Sequence, residues 1–185
     1  LRGRGPHIPP LDRVVQYDFE PGYVVFTQPC AKRVRVEVGG VTIADTSKAL
    51  MLWETEHMIV YYLPLADIRM DLMTRTAHRT ECPYKGTAEY YSVTVGGRTV
   101  ENVVWRYANP IPECPPIAGY ASFYWEKVDR VFEEDEEVFV HPRDPYKRID
   151  CLPSSARIEV SLDGVRLADS SRAVMLFETG LPTRY

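Results

Sequence analysis

An internal repeat constrains this sequence more than any other feature. Arg33 to Thr55, RVRVEVGGVTIADTSKALMLWET, returns as Arg157 to Thr179, RIEVSLDGVRLADSSRAVMLFET. Of the 23 aligned positions 12 are identical, among them Gly40/Gly164, Asp45/Asp169, Met51/Met175 and Glu54/Glu178. The spacing, 178 − 54 = 124 residues, lies far outside the roughly 20–50 residues of solenoid and propeller repeats, so it marks whole domains in tandem. A chain of 185 residues then holds one complete copy and the opening of another.

Taken in order, residues 1–28 read as an irregular arm rich in Arg, Gly and Pro, ending in a first strand at Tyr23 to Thr27. Residues 29–140 are the complete copy, 141–155 a proline-containing linker, and 156–185 the start of the second copy. Arg33 to Val38 alternates charged and apolar residues, the period of a half-buried strand. Gly39-Gly40, and Asp163-Gly164 in the other copy, suit the positive φ angles of a type I′ turn, which predicts a hairpin closed by Val41 to Ala44. Ala49 to Trp53 and Met58 to Leu63 are continuous apolar runs, expected as strands buried on both faces. Asp67 to Thr76 places Ile68, Leu72 and Met73 at helical spacing, which predicts a short helix. Glu89 to Val95 and Arg98 to Trp105 form a second hairpin across Gly96-Gly97. Four prolines make Asn109 to Pro116 an extended loop, and the acidic run Glu133 to Glu137 reads as a solvated edge.

The fold class that follows is mainly β: a small antiparallel barrel or folded sheet with one or two short helices, followed by a partial second copy. A lone hairpin and strand would expose edges and apolar surface. Residues 156–185 are therefore expected to pack on the first copy, to join a homodimer, or to exchange strands between chains.

Composition removes several function classes. A net charge of −4 and a pI of about 5.6, with no basic stripe, argue against nucleic acid or an anionic membrane as partner. No apolar run reaches the roughly 18 residues of a membrane span. Cys30, Cys82, Cys114 and Cys151 are widely spaced, without the C-x-x-C pairs of zinc ribbons or dithiol redox motifs. Reduced thiols and a cytoplasmic location are the expectation, and the opening at Leu1 leaves room for a cleaved leader. Phosphate-loop, dinucleotide, H-E-x-x-H and G-x-S-x-G motifs are absent, and the four histidines lie at no metal-ligand spacing. Neither a metal nor a cofactor is expected.

The densest chemical stretch is Thr80 to Gly86, TECPYKG. A lysine three residues from a thiol favours the thiolate, so Cys82 and Lys85 are the candidate nucleophiles, and Gly86 lets backbone approach a ligand closely. The competing reading makes Cys82 a small buried apolar residue and Lys85 a solvated charge. Glu54 ends an apolar strand in both copies, where desolvation would tune a general acid or base, unless it serves a turn or ion pair. Asp67 and Arg69 follow Pro64 and supply further polar partners. Tyr61, Tyr62, Tyr90, Tyr91, Trp105, Tyr107, Tyr120, Phe123, Tyr124 and Trp125 make the domain aromatic-rich, some of them to line a pocket and most to pack a core or a sheet face.

The runs ETEHMIVYYLPLADIRMDLM, CPYKGTAEYYSV, VVWRYANPIP and IAGYASFYWEKVDRV resemble the bacterial and fungal family catalogued as domain of unknown function 427, also labelled nucleotidyltransferase-like. The likeness covers about Arg33 to Val131, is most specific in CPYKG and in the W-x-Y-x-x-P run at Trp105 to Pro110, and restarts at Arg157. It implies two copies joined by a segment like HPRDPYKRID. It also implies characteristic positions at Glu54, Tyr62, Asp67, Cys82, Lys85, Gly86, Trp105 and Tyr107. Nucleotidyl transfer would need clustered carboxylates and a glycine-rich phosphate loop, and Asp67 with Asp71 is the nearest approach to the former.

Three functional readings result. The first is a pocket for a small polar ligand, with Cys82, Lys85, Glu54 and Asp67 as the catalytic set if it turns over, and Tyr62, Arg69, Gly86, Trp105 and Tyr107 as binding residues. A non-catalytic protein-interaction module is the second. Nucleotidyl transfer at Asp67 and Asp71 is the third.

Overall fold

A computed structural model describes residues 14–185, so residues 1–13 of the expected arm lie outside the described residues. The chain separates into two compact units, one ending at Arg143 and one spanning Asp144–Tyr185. Both are β structures. No helix among the described residues is long and apolar enough to cross a membrane.

The first unit contains β1 (Val14–Tyr17), β2 (Glu20–Pro29), β3 (Val34–Val38), β4 (Val41–Thr46), β5 (Leu50–Glu54) and β6 (Val60–Pro64). It continues with β7 (Met73–Cys82), β8 (Gly86–Val95), β9 (Arg98–Arg106), β10 (Tyr120–Phe123), β11 (Arg130–Glu133) and β12 (Glu136–Glu137). Eight strands form one antiparallel sheet in the order β1-β2-β5-β6-β10-β9-β8-β7, and four form a second in the order β12-β11-β3-β4. The outermost strands of the large sheet, β1 and β7, do not pair, so the barrel alternative fails and the architecture is a folded sheet.

Period-2 alternation puts the two faces of the large sheet into two cores. Met51, Tyr61, Leu63, Tyr91 and Val93 point into the core shared with β3, β4 and β11. Leu52, Tyr62, Ala88, Tyr90 and Tyr107 point into a second, smaller core on the opposite face. Strands that serve both cores must be apolar throughout, which is why β5 and β6 read as continuous apolar runs. The turns Gly39-Gly40 (φ 60° and 74°) and Gly96-Gly97 (φ 57° and 83°) have the positive angles a type I′ connection requires.

The expected helix over Asp67 to Thr76 is absent. Two three-residue 3-10 turns, Leu65–Asp67 and Met70–Leu72, are separated by Ile68, which is extended and bridges Ala44 of β4. The N–H of Arg69 then donates to the Ile43 carbonyl at 2.8 Å. Those bonds to β4 stop a helix from propagating, and Met73 onward pairs with β8 as β7. Helical spacing of Ile68, Leu72 and Met73 lost to the β-branched Thr74, Thr76 and Thr80 and to the hairpin that this stretch forms with β8.

The acidic run is not uniformly solvated either. Glu133 is 2% exposed, whereas Glu134, Asp135 and Glu136 are exposed. The buried carboxylate accepts hydrogen bonds from Lys32 Nζ at 2.6 Å, Tyr61 Oη at 2.8 Å and the Arg143 N–H at 2.9 Å. Burial pushes this carboxyl up, but Lys32, the Arg143 N–H and Tyr61 together outweigh it and hold it below its ordinary 4.5. With the folded value the lower one, its contribution to stability is complete above the unfolded value and is lost as pH falls through the folded value. Urea midpoints are therefore expected to be flat above pH 4.5 and to fall below it, with a shallower fall in Glu133→Gln. An equally steep fall in that variant would assign the acid sensitivity elsewhere.

The second unit comprises β13 (Ile149–Pro153), β14 (Ile158–Leu162), β15 (Val165–Ser170) and β16 (Val174–Glu178), paired β13-β16 and β14-β15. Its ladders repeat those of the first unit position for position. Val25↔Glu54 through Pro29↔Leu50 recurs as Ile149↔Glu178 through Pro153↔Val174. The register shift at Val36/Glu37 recurs at Val160/Ser161, and the Arg33–Asp45 ion pair at 2.5 Å recurs as Arg157–Asp169 at 2.7 Å. Burial does not repeat. Val38 and Ile43 are 0% exposed, while their counterparts Leu162 and Leu167 are 63% and 62% exposed. In the first unit that face is covered by residues of β8 to β10, such as Val93, Val103 and Phe123.

Candidate functional site

The site lies on the face of the large sheet that carries the smaller core, where the turn between β7 and β8 meets the end of β5. That turn is Cys82-Pro83-Tyr84-Lys85, closed by the Lys85 N–H donating to the Cys82 carbonyl at 3.3 Å, and proline presets its first corner. Gly86 follows at φ +101°, a conformation that L side chains avoid. A Cβ there would meet Asn109 O and Ile111 at 3.5 Å, an ordinary contact, so the requirement for glycine is conformational rather than steric. The Lys85 carbonyl accepts from the Ile111 N–H at 3.1 Å, which fastens the proline loop to the turn.

This turn aims the Lys85 side chain at Glu54, whose strand is separated from β8 by three others in the sheet order. Lys85 Nζ lies 2.5 Å from both Glu54 oxygens, and Tyr23 Oη donates to Glu54 Oε1 at 2.7 Å. The two charged side chains are 7% and 12% exposed, a nearly buried ion pair. An aromatic clasp brings the strand ends together. Tyr84 stacks on Tyr23 with centroids 3.6 Å apart, Tyr17 Oη donates to the Tyr84 carbonyl at 2.7 Å, and Tyr84 Oη hydrogen-bonds Glu20.

Above the ion pair is a cavity of about 350 Å³. Its lining is the apolar Leu52 and Val60, the aromatic Tyr62, Tyr90, Trp105, Tyr107 and Tyr124, and Thr80, Glu81 and Cys82 beside Lys85 and Glu54. Trp105 and Tyr124 are 4.5 Å apart at their centroids, and the Lys85 ammonium sits 6.0 Å from the Tyr107 ring centroid. Burial pushes the Tyr62 and Tyr107 phenols up, and the neighbouring Tyr62 and Cys82 push Tyr107 further. Burial and the hydrogen bond to Glu54 do the same for Tyr23. All three act as neutral hydroxyls.

Of the residues singled out in the sequence, Glu54, Tyr62, Cys82, Lys85, Trp105 and Tyr107 line this one cavity, and Gly86 shapes the turn beside it. Asp67 and Arg69 do not line it. Asp67 accepts from Thr46 Oγ1 at 2.7 Å against β4, and Arg69 pairs with Asp71 at 2.6 Å. Among the described residues no three His, Cys, Asp or Glu side chains are grouped to hold a metal ion. Sequence reasoning passed over Tyr23, which touches Glu54, and Tyr84, although Tyr84 sits inside the CPYKG run. Tyr90 and Tyr124 were visible only as members of an aromatic-rich chain.

The four thiols differ in surroundings. Cys151 is exposed, Cys30 is buried, and Cys82 and Cys114 are intermediate. Burial pushes the Cys114 thiol up to about 12, further than Lys85 draws it down. Since the thiolate is the nucleophile, iodoacetamide at pH 8 is expected to modify Cys151 first and to spare Cys30 and Cys114. Peptide mass mapping checks this, and labelling of Cys114 as fast as Cys151 would contradict the burial. Following Cys82 in the same experiment across pH tests its nucleophilic role directly.

No curated protein matches the chain significantly. The sequence profile of a family described as a domain of unknown function, DUF427, matches residues 26–134 and 150–185, and so takes in every residue lining the cavity, Tyr84 of the clasp but not Tyr17, Glu20 or Tyr23, and nearly all of the second unit. With well over half of its residues in that match, the chain belongs to the DUF427 family.

Proposed function

We propose that the first unit is a small-molecule-binding domain whose ligand occupies the cavity over Glu54 and Lys85. The observation that carries this reading is the ion pair itself, closed at 2.5 Å and nearly buried in the lining of an aromatic cavity. A buried pair is a poor device for stability, because desolvating two charges cancels most of their attraction and apolar residues of the same size often do better. Convergent polar groups in an apolar, aromatic cavity are the usual form of a ligand site. Lys85 and Cys82 are the two nucleophiles a bound ligand would meet, so turnover, if it occurs, runs through them with Glu54 moving protons.

In the same reading the second unit is the opening of a second copy of this domain, supported by the repeated registers and the repeated Arg–Asp pair. Glu178 stands in it where Glu54 stands in the first. The interaction-module reading draws on this unit, since Val160, Leu162 and Leu167 are exposed on one hairpin. For this chain it takes the form of a homodimer or strand exchange through residues 156–185, which would show as a concentration-dependent mass by light scattering.

Native mass spectrometry of the freshly purified full chain tests the pocket. A retained small mass is expected, and it is expected to disappear in Lys85→Ala and in Glu54→Ala. A bare protein that also gains no mass from extract metabolites would move the assignment to the interaction module.

A further inference from the structure

We infer that the ligand of this cavity is an uncharged ring of monosaccharide size whose adjacent hydroxyls engage Glu54 and Lys85 together; the inference rests on the pocket reading above. Charge is the first argument. Lys85 and Glu54 neutralise each other, and the remaining charged group of the lining, Glu81, is an acid. An anionic ligand would have to draw Lys85 away from Glu54 and would leave a nearly buried carboxylate without its cation. A cationic ligand would strand Lys85 in the same way. Stripping one partner from a buried pair is strongly unfavourable, so a charged ligand meets a penalty that a neutral one does not.

Hydrogen-bond capacity is the second. An ammonium has three N–H donors, and two of those of Lys85 face the Glu54 oxygens. Oε1 also receives Tyr23 Oη, while Oε2 has no donor but Lys85 among the described residues. What the pair offers a ligand is therefore one N–H and one carboxylate lone pair, side by side. Neighbouring hydroxyls match this, one accepting from Nζ and the other donating to Oε2, and the ion pair stays closed.

Size and walls are the third. A cavity of about 350 Å³ is near the lower end of ligand sites, room for a single ring. Trp105, Tyr90 and Tyr124 supply flat apolar faces for the C–H faces of such a ring. A cation, a carboxylate and aromatic planes in one lining give a ring with polar edges and apolar faces a partner for each surface.

The test titrates the full chain with D-glucose and myo-inositol, and with glucuronate and glucose 6-phosphate as charged counterparts, following tryptophan fluorescence. Saturable binding of a neutral ring is expected, unchanged by added salt because no net charge is involved. It is expected to be lost in Trp105→Ala and in the double variant Glu54→Leu/Lys85→Met, which removes both charges and strands neither. Tighter binding of the charged counterparts, weakening with salt, would overturn the neutral-ring inference and leave the pocket reading standing. A mass retained in native spectra by a protein that binds none of the four probes would do the same. No probe bound, no mass retained and no mass gained from extract metabolites would overturn both.

Discussion

Replacing Lys85 by methionine is expected to destabilise the first unit by about 3–5 kcal/mol, the range found when one partner of a buried ion pair is removed. Glu54 would keep the Tyr23 hydrogen bond and lose both contacts to the ammonium, in a place where its side chain is 12% exposed and water cannot replace them fully. The reciprocal change, Glu54→Leu, strands the ammonium and is expected to cost a similar amount. The double variant is expected to recover most of the loss, because an apolar pair of similar volume removes the desolvation cost altogether. Urea denaturation of the four proteins gives the double-mutant cycle. Single variants within 1 kcal/mol of the parent, an order-of-magnitude boundary between buried and surface pairs, would mean that the pair is solvated and that the argument from its burial fails.

The second large effect comes from one position of the repeat read in its two settings. Ile43→Ala is expected to cost about 2–5 kcal/mol, since it empties a fully buried site between the two sheets. Leu167→Ala, at the same place in the second unit, is expected to stay within about 0.5 kcal/mol, because its side chain is 62% exposed and truncation leaves no cavity. Circular dichroism reports both units, whereas tryptophan emission reports the first alone, all three tryptophans lying there. A loss for Leu167→Ala as large as that for Ile43→Ala would show that the exposed face is covered in solution, by a second copy of the chain or by some other surface.

Much of the β framework was legible because its causes are local. Gly-Gly at residues 39–40 and 96–97 is there for positive φ, a requirement confined to two residues, and both hairpins follow from it. Alternation along Arg33 to Val38 states which side chains point inward before the partner is known. The repeat added an independent reading of the same structure, since two sequences with different turn residues, Gly39-Gly40 and Asp163-Gly164, adopt the same type of turn. Within the site, CPYKG was legible as a cysteine, a lysine and a glycine close together, while the turn closed by Lys85 N–H to the Cys82 carbonyl and the positive φ of Gly86 are findings of the structure.

Where partners are remote, sequence reasoning gave way. Asp67 to Thr76 has a period that fits a helix and a composition that fits a strand, and bonds to Ile43, Ala44 and β8 decided between them. Glu133 looks like its exposed acidic neighbours, yet it is buried by Lys32, Tyr61 and Arg143, the first two of which are far away in sequence. Asp67 and Arg69 carry suitable chemistry, but an extended residue between the two 3-10 turns directs them to Thr46 and Asp71.

The sequence by itself determined the internal repeat, the hairpins, the two-faced strands and the chemistry available in CPYKG, because each depends on neighbours along the chain or on a simple period. Only the tertiary structure decided that Lys85 meets Glu54, that Tyr23 and Tyr84 clasp them, and that the second unit leaves bare the face its counterpart buries. The reason is geometric. Backbone angles and alternation act over a few residues, whereas folding a twisted eight-stranded sheet so that strands on opposite sides of it share one ion pair depends on every strand between them.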